Sequence, residues 1–146
     1  MDLNKREVLL KNLFLLDVSG SMDNIVDGKR KIDHLRSIMA DYPDAKMICF
    51  SSEVFKGKNN MPMPIPEPNG STDLAKALKT IKSEKMSSER IVLVSDGEPD
   101  DKALALNSAQ QLNLPIDIIF IGEEKSDGEA FMEQLAKQTG GQHFTV

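Results

Sequence analysis

The stretch LFLLDVSGS, residues 13–21, decides the fold of this chain, because an unbroken apolar run is followed directly by one carboxylate and two hydroxyls. An apolar run without polar alternation suits a strand that is covered on both faces, and ligands of open α/β sheets collect at the carboxyl ends of such strands. Carboxylate and hydroxyl oxygens are ligands that Mg²⁺ prefers. The stretch therefore indicates a hard metal ion, although Asp and Ser also occupy ordinary turns.

Size and composition predict one domain over residues 1–146, large enough to bury about 68 to 70% of its unfolded surface. The net charge of −5, with no basic block longer than residues 29–31, argues against a nucleic acid or an anionic membrane as partner. The single cysteine, Cys49, lies in an apolar run and is expected to be a buried hydrophobe. A lone cysteine fits a reducing compartment, and no run approaches the ~20 apolar residues of a membrane span, so we expect a cytoplasmic protein.

Apolar runs alternate with segments of helical period, which predicts crossover units and a mainly parallel sheet. A short segment at 53–55 follows the second strand too closely for a crossover helix and should pair antiparallel at the edge. The other strands are predicted at 8–16, 46–51, 90–95, 116–121 and 142–146, and the helices at 30–40, 73–85, 101–112 and 129–138. Gly140 and Gly141 are expected to end the last helix. The predicted fold is α/β, Rossmann-like and doubly wound, with six strands and helices on both faces.

Residues 61–68, MPMPIPEP, interrupt this alternation with a proline at every second position. Such a backbone is held extended and cannot donate to a sheet at four positions. One interpretation is a stiff connector that crosses the top of the sheet. The other is a recognition strip in which Met63 and Ile65 offer exposed apolar contacts to a partner. We favour the connector.

Two further segments carry oxygen ligands at the ends of predicted elements. In residues 69–74, Ser71 or Thr72 could cap the next helix, or the Thr72 hydroxyl could be a third metal ligand, and local chemistry does not separate these readings. Asp96 directly follows a buried strand. Right-handed crossovers would make that strand a neighbour of the first one, so that Asp17 and Asp96 face one crevice and a cation relieves their repulsion.

Three acidic residues after Asp96, namely Glu98, Asp100 and Asp101, are expected to cap and charge-match the next helix.

Three short segments follow one another along the chain: Asp17-x-Ser19-x-Ser21, Gly-Ser-Thr72-Asp-Leu and Ser-Asp96-Gly. In this order they resemble the von Willebrand factor A domain and its metal-ion-dependent adhesion site. The resemblance spans the chain from the first strand to the last. It implies that Asp17, Ser19, Ser21, Thr72 and Asp96 form a metal shell, directly or through water. The implied ion is Mg²⁺, with Mn²⁺ or Ca²⁺ as alternatives, and the implied partner is a protein that supplies an Asp or Glu to the metal. The proline run stands where many members have a helix.

The family includes extracellular adhesion modules and intracellular ones that resemble adaptors for AAA+ ATPases or multiprotein complexes. This short chain without disulfides looks more like the intracellular kind. The residues Asp23, Asp27, Glu98, Asp100 and Asp101 either form an acidic rim that favours a basic partner or are scattered solvated charges.

Metal-bridged protein recognition is thus the leading hypothesis, and two alternatives stay open. One is Mg²⁺-dependent phosphoryl transfer, with Asp17 as nucleophile and Lys125 as charge clamp. Against it, Ser19 stands where haloacid-dehalogenase-like phosphatases have a second Asp, and Ser51-Ser52-Glu53 replaces the phosphorylated Asp of receiver domains. The other is a structural module that binds no metal.

Neither histidine gives a sign of catalytic work, since His34 falls on a predicted helix and His143 near the last strand. With Cys49 they are too few for a structural zinc site of four such ligands. We expect a protein without enzymatic activity.

Overall fold

A mixed sheet of six strands forms the centre of the computed structural model, which describes residues 12–146. Its strands are β1 (Asn12–Asp17), β4 (Met47–Phe50), β5 (Val54–Lys56), β6 (Arg90–Ser95), β7 (Ile116–Phe120) and β8 (His143–Thr145). Their order is β5-β4-β1-β6-β7-β8, and β5 alone runs antiparallel, at the edge. The predicted sheet is confirmed. Residues 8–11 of the first predicted strand lie outside the described part of the chain.

Four α-helices connect these strands: α1 (Lys31–Ala40), α2 (Leu74–Ser83), α3 (Lys102–Leu112) and α4 (Asp127–Thr139). Their order is as predicted, with ends displaced by one or two residues. The last helix begins before the predicted start because the Ser126 side chain accepts a hydrogen bond from the Glu129 amide and caps it. Gly140, at φ 81°, ends that helix in the left-handed conformation, as expected.

Short elements that the sequence pattern did not predict follow β1 and β5. A 3₁₀ turn covers Gly20–Asp23, and a two-stranded ribbon of β2 (Ile25–Val26) and β3 (Lys29–Arg30) leads into α1. A second 3₁₀ turn covers Lys58–Asn60. These elements are too short to produce a recognisable hydrophobic period.

Alternate residues of β1 reach opposite faces of the sheet, which explains why its sequence is apolar throughout. Leu13 and Leu15 pack in the layer that contains α2, α3 and α4. Phe14 and Leu16 pack in the layer on the side of α1, where Cys49 is also buried. Burial raises the pKa of the Cys49 thiol to about 12, so it stays protonated as a small core side chain.

The chain reverses its direction of travel across the sheet at β1. It moves outward from β1 through β4 to β5, and then returns to the opposite side of β1 to form β6. In the β1–β6 register Leu16 lies opposite Val94, so the residues that follow these two strands emerge side by side. This is the position where ligands bind in open α/β sheets, and it places Asp17 beside the Asp96 loop.

The proline-rich residues 61–68 contain no helix or strand and lie against α1. Arg36 donates to the Ile65 carbonyl at 3.1 Å and to the Glu67 carboxylate at 2.6 Å. Met63 and Ile65 are half-buried against the core rather than exposed. These contacts with α1 favour the connector over an exposed recognition strip, although both side chains also line a surface cavity.

Among residues 12–146, no helix has the length and apolar character that a membrane crossing requires.

Candidate metal centre

Asp17, the last residue of β1, is fully buried and held by three hydrogen bonds. Its Oδ1 accepts from the Ser19 amide at 2.9 Å and from the Ser19 hydroxyl at 2.6 Å. Its Oδ2 accepts from the Ser95 hydroxyl, at the end of β6, at 2.7 Å. Both oxygens of the carboxylate are therefore oriented by neighbours from the two central strands.

The two serines after Asp17 lie close together, as the spacing predicted. The 3₁₀ turn that begins at Gly20 folds the chain back, and the Ser21 hydroxyl lies 3.3 Å from that of Ser19. The Gly20 amide donates to the Gly70 carbonyl at 2.9 Å, which ties this turn to the loop that carries Thr72. The first and second oxygen-bearing segments thus meet through a backbone hydrogen bond.

Asp96 lies in the loop after β6 and is only 7% exposed. Its Oδ2 accepts from the Lys31 ammonium at 3.3 Å, and the Lys31 side chain is itself largely buried. Its Oδ1 is buried and has no hydrogen-bond partner among residues 12–146. Buried polar atoms are nearly always paired in native structures, so this oxygen indicates a ligand that the protein itself does not supply.

Thr72 is 7% exposed and is fixed through its main chain. Its amide donates to the Asp100 carboxylate at 2.9 Å, and its carbonyl accepts from the Asp100 amide at 2.9 Å. Helix α2 is capped by Asp73, whose carboxylate accepts from the Lys76 amide at 3.0 Å. Neither Ser71 nor Thr72 is therefore the cap, and the Thr72 hydroxyl is not used at the helix end.

The acidic residues after Asp96 have different tasks. Asp101 caps α3 by accepting from the Leu104 amide at 3.0 Å, as expected. Asp100, expected to do the same, holds the Thr72 loop instead. Sequence reasoning missed Asp100 in this role, and it missed Ser95 and Lys31 as neighbours of the two aspartates, because no local pattern marks these three residues.

The electrostatics of the site favour a cation. Burial and the charge of Asp96 raise the pKa of Asp17 from 3.8 to about 6, against the lowering effect of the hydrogen bonds from Ser19 and Ser95. Two carboxylates that are kept from water at adjacent strand ends destabilise each other, and a bound cation removes that repulsion.

The residues present fit a hard divalent ion. The five candidate ligands offer two carboxylates and three hydroxyls, with no nitrogen or sulfur, and one carboxylate oxygen is buried without a partner in the described part of the chain. Hydrogen bonds link Asp17, Ser19 and Ser21, and the charge of Asp96 acts on Asp17. A main-chain hydrogen bond connects the loop that carries Thr72 to the turn that follows Ser19. A cavity of about 260 Å³ opens beside Ser21 and Asp96.

No family model and no curated protein matches the sequence, whereas solved structures match the fold. Manganese-loaded TRAP protein from Plasmodium vivax has a TM-score of 0.64 and 20% identity over 87% of this chain. An aerotolerance-related membrane protein from Bacteroides fragilis, carrying multiple mutations to serines, and a von Willebrand factor type A protein from Catenulispora acidiphila each have a TM-score of 0.62 and 16% identity over 93% of this chain. The chain spans 62%, 90% and 38% of these three proteins, respectively. The chain has the von Willebrand factor A fold, as its motifs predicted.

Proposed function

We propose that this von Willebrand factor A fold serves as a divalent-metal-dependent protein-interaction domain, with Asp17, Ser19, Ser21, Thr72 and Asp96 as the metal-binding residues. The observation that carries the proposal is the buried Oδ1 of Asp96, which has no partner among the described residues and belongs to the carboxylate whose charge acts on the fully buried Asp17. An ion there would satisfy this oxygen and balance both carboxylates.

Mg²⁺ is the ion we propose, and Mn²⁺ and Ca²⁺ are the alternatives to compare with it. All five side chains offer oxygen, which suits these hard cations and gives no preference to zinc or copper. The manganese-loaded state of the Plasmodium vivax protein, which has the same fold, supports a divalent ion in this chain as well.

Hydrogen bonds position two of the hydroxyls of the proposed centre. The Asp17 carboxylate accepts hydrogen bonds from the hydroxyls of Ser19 and Ser95. It thereby fixes the direction of the Ser19 hydroxyl, which lies beside that of Ser21. Asp100 forms hydrogen bonds with both the amide and the carbonyl of Thr72, and this positions the Thr72 hydroxyl. When bound, the ion supplies a coordination position for a carboxylate oxygen of a partner protein. The cavity beside Ser21 gives that side chain a route of approach.

The geometry favours this role over phosphoryl transfer by Asp17. The Asp17 side chain is 0% exposed, so the phosphoryl group of a substrate has no open approach to it, whereas each carboxylate oxygen keeps lone-pair capacity for an ion held beside it, directly or through water. Lys125 is exposed on the turn before α4, where its amide donates to the Glu129 carboxylate. We therefore propose a binding domain without catalytic activity.

The partner we propose is a protein with an acidic residue at its contact surface, within an intracellular multiprotein or AAA+ ATPase-associated complex in the cytoplasm. Glu98 is exposed and lines the cavity beside Ser21 and Asp96, which favours a partner that is basic around its acidic residue, whereas the Asp23 carboxylate is paired with Arg30. The net charge of −5 disfavours nucleic acid.

Calorimetric titration of Mg²⁺ and Mn²⁺ into the wild type, Asp17→Ala, Asp96→Asn and the control Asp44→Asn tests the metal centre. Asp44 is exposed and precedes β4 at the opposite end of the sheet, so its loss removes a similar charge without touching the site. We expect the wild type and the control to bind one equivalent of Mg²⁺, and the other two variants to bind Mg²⁺ at least tenfold more weakly. Equal binding by all four proteins would refute the assignment.

Capture of partners from a native cell extract, followed by elution with EDTA, tests the interaction. A partner retained by the wild type should be released by the chelator and should not be retained by Asp96→Asn. A partner that stays bound in the presence of the chelator and is also retained by Asp96→Asn would contradict the metal-bridged interaction.

A further inference from the structure

A second group of metal-binding side chains lies between the last helix and the last strand. Glu129 and Glu133 are on α4, His143 begins β8, and one ligand atom of each lies within 4.8 Å of the others. Glu129 and His143 are half-buried, and Glu133 is exposed. None of these residues belongs to the strand-end centre described above.

The local sequence explains why these three side chains meet. Residues four apart on a helix lie on the same face, so Glu129 and Glu133 point in one direction. The left-handed Gly140 ends α4, and the chain enters β8 three residues after it, at His143. His143 and Thr145, two residues apart in a strand, share a face, and the Thr145 hydroxyl contacts the Glu129 carboxylate at 3.0 Å.

Glu129 is oriented as metal-binding carboxylates usually are. Its Oε1 accepts from the Lys125 amide at 2.8 Å, and its Oε2 accepts from the Thr145 hydroxyl. These two bonds lower the pKa of Glu129, so the side chain is ionised at neutral pH. Neighbours that fix a ligating carboxylate in this way increase its affinity for a metal.

The cluster also contains a polar atom that the protein leaves unsatisfied. The Nε2 of His143 is buried and has no hydrogen-bond partner among residues 12–146. The two carboxylates repel each other across one helical turn, and no Lys or Arg in the described chain forms an ion pair with either. The His143 ring, meanwhile, stacks on Phe120 with centroids 6.3 Å apart.

We propose that Glu129, Glu133 and His143 form a second metal site, for a divalent transition-metal ion of which Zn²⁺ fits best. An imidazole nitrogen beside carboxylates suits zinc, whereas Mg²⁺ and Ca²⁺ prefer oxygen alone. Three protein ligands leave a fourth, open position. Ligand atoms at ~2.0 Å around a tetrahedral zinc lie about 3.3 Å apart, and the exposed Glu133 side chain can close the remaining distance without disturbing the core. The ion links the edge strand β8 to α4.

Calorimetric titration of Zn²⁺ into untagged Asp17→Asn protein separates this site from the strand-end centre, because that variant lacks a ligand of the latter. We expect one equivalent of Zn²⁺ to bind. Adding Glu133→Gln should weaken the Zn²⁺ affinity at least tenfold. Adding Asp127→Asn, which removes the charge of an exposed residue on the same helix, should change it less than twofold.

The NMR resonances of the imidazole rings give a second readout of Zn²⁺ binding. The same measurement can be made on the wild type in excess Mg²⁺. The chain has two histidines, and the Nε2 of His34 is engaged at 2.7 Å with the Val26 carbonyl, which makes it an internal reference. Zn²⁺ should shift the His143 resonances and leave those of His34 unchanged. Absence of Zn²⁺ binding, equal affinity after Glu133→Gln, or a shift at His34 instead would overturn the proposal. None of these results depends on the strand-end centre or its partner.

Discussion

Replacement of Asp17 by Asn should stabilise the metal-free protein at neutral pH, although it removes a residue of the proposed centre. The pKa of Asp17 is raised from 3.8 to about 6 in the folded protein, so the folded state binds this proton more tightly than the unfolded state. The stability of the metal-free protein therefore falls as pH rises from about 3.8 to about 6, and the loss is complete above that range. From this shift, the ionised Asp17 costs about 3 kcal/mol of unfolding free energy at pH 7.5.

Asn removes the charge and keeps the shape, but it loses one hydrogen bond. Its oxygen can still accept from Ser19, whereas its amide nitrogen cannot accept from the Ser95 hydroxyl, which bonds the Oδ2 of Asp17. That loss costs about 1 to 2 kcal/mol. The net expectation at pH 7.5 is a gain of about 1 to 2 kcal/mol for Asp17→Asn. At pH 4, where folded Asp17 is protonated, the variant should be no more stable than the wild type.

Urea unfolding in EDTA at pH 4 and pH 7.5 measures both differences, and repeating it in Mg²⁺ adds a third. With Mg²⁺ at pH 7.5, binding to the native state stabilises the wild type by mass action, so the order of the two proteins should reverse. A variant that is less stable than the wild type at pH 7.5 in EDTA would refute the argument from burial and charge. Equal stabilisation of both proteins by Mg²⁺ would refute the role of Asp17 in metal binding.

Two further substitutions test the surroundings of the centre. Lys31→Met should lower the melting temperature in EDTA and tighten Mg²⁺ binding several-fold in calorimetry, because it removes a buried cation that competes with the metal. Lys29→Met should do neither, because the exposed Lys29 ammonium donates to the Ser37 hydroxyl. Weaker Mg²⁺ binding by Lys31→Met would contradict this reasoning. Gly97→Ala should lower the free energy of unfolding in urea by about 2 kcal/mol or more, because φ is +89° and a Cβ would lie 2.3 Å from the Gly128 carbonyl oxygen. Gly28→Ala is the control: φ is +85° but the space is open, so it should lose only the ~1 kcal/mol that the backbone conformation costs. Equal losses in the two variants would exclude the steric contribution.

The order of the secondary structure could be predicted because its signals are local. The apolar run before Asp17 needs no partner to be recognised, and the helical period of α2 is present in its own residues. The start of α4 was misplaced because the cap at Ser126 is one hydrogen bond to Glu129 rather than a hydrophobic pattern. Helix ends depend on such single contacts, which a period does not show.

The centre was predictable in part for the same reason. Asp17 and Asp96 are recognisable as strand-end carboxylates, and the handedness of crossovers makes their strands neighbours. Lys31, Ser95 and Asp100 were not recognisable, because their contacts to the centre join distant parts of the chain. Membership of all five residues, Asp17, Ser19, Ser21, Thr72 and Asp96, in a metal shell stays a prediction for the titrations above.

The amino-acid sequence alone determined which segments are strands and helices, which strands are buried on both faces, and where oxygen-bearing residues follow them. These properties arise from apolar spacing and residue type, which act over a few neighbouring positions. Only the tertiary structure decided that Lys31 pairs with Asp96, that one oxygen of Asp96 has no partner within residues 12–146, and that His143 meets the two carboxylates of α4. Burial and charge pairing between residues far apart in sequence depend on how the layers pack, and packing is a property of the whole domain.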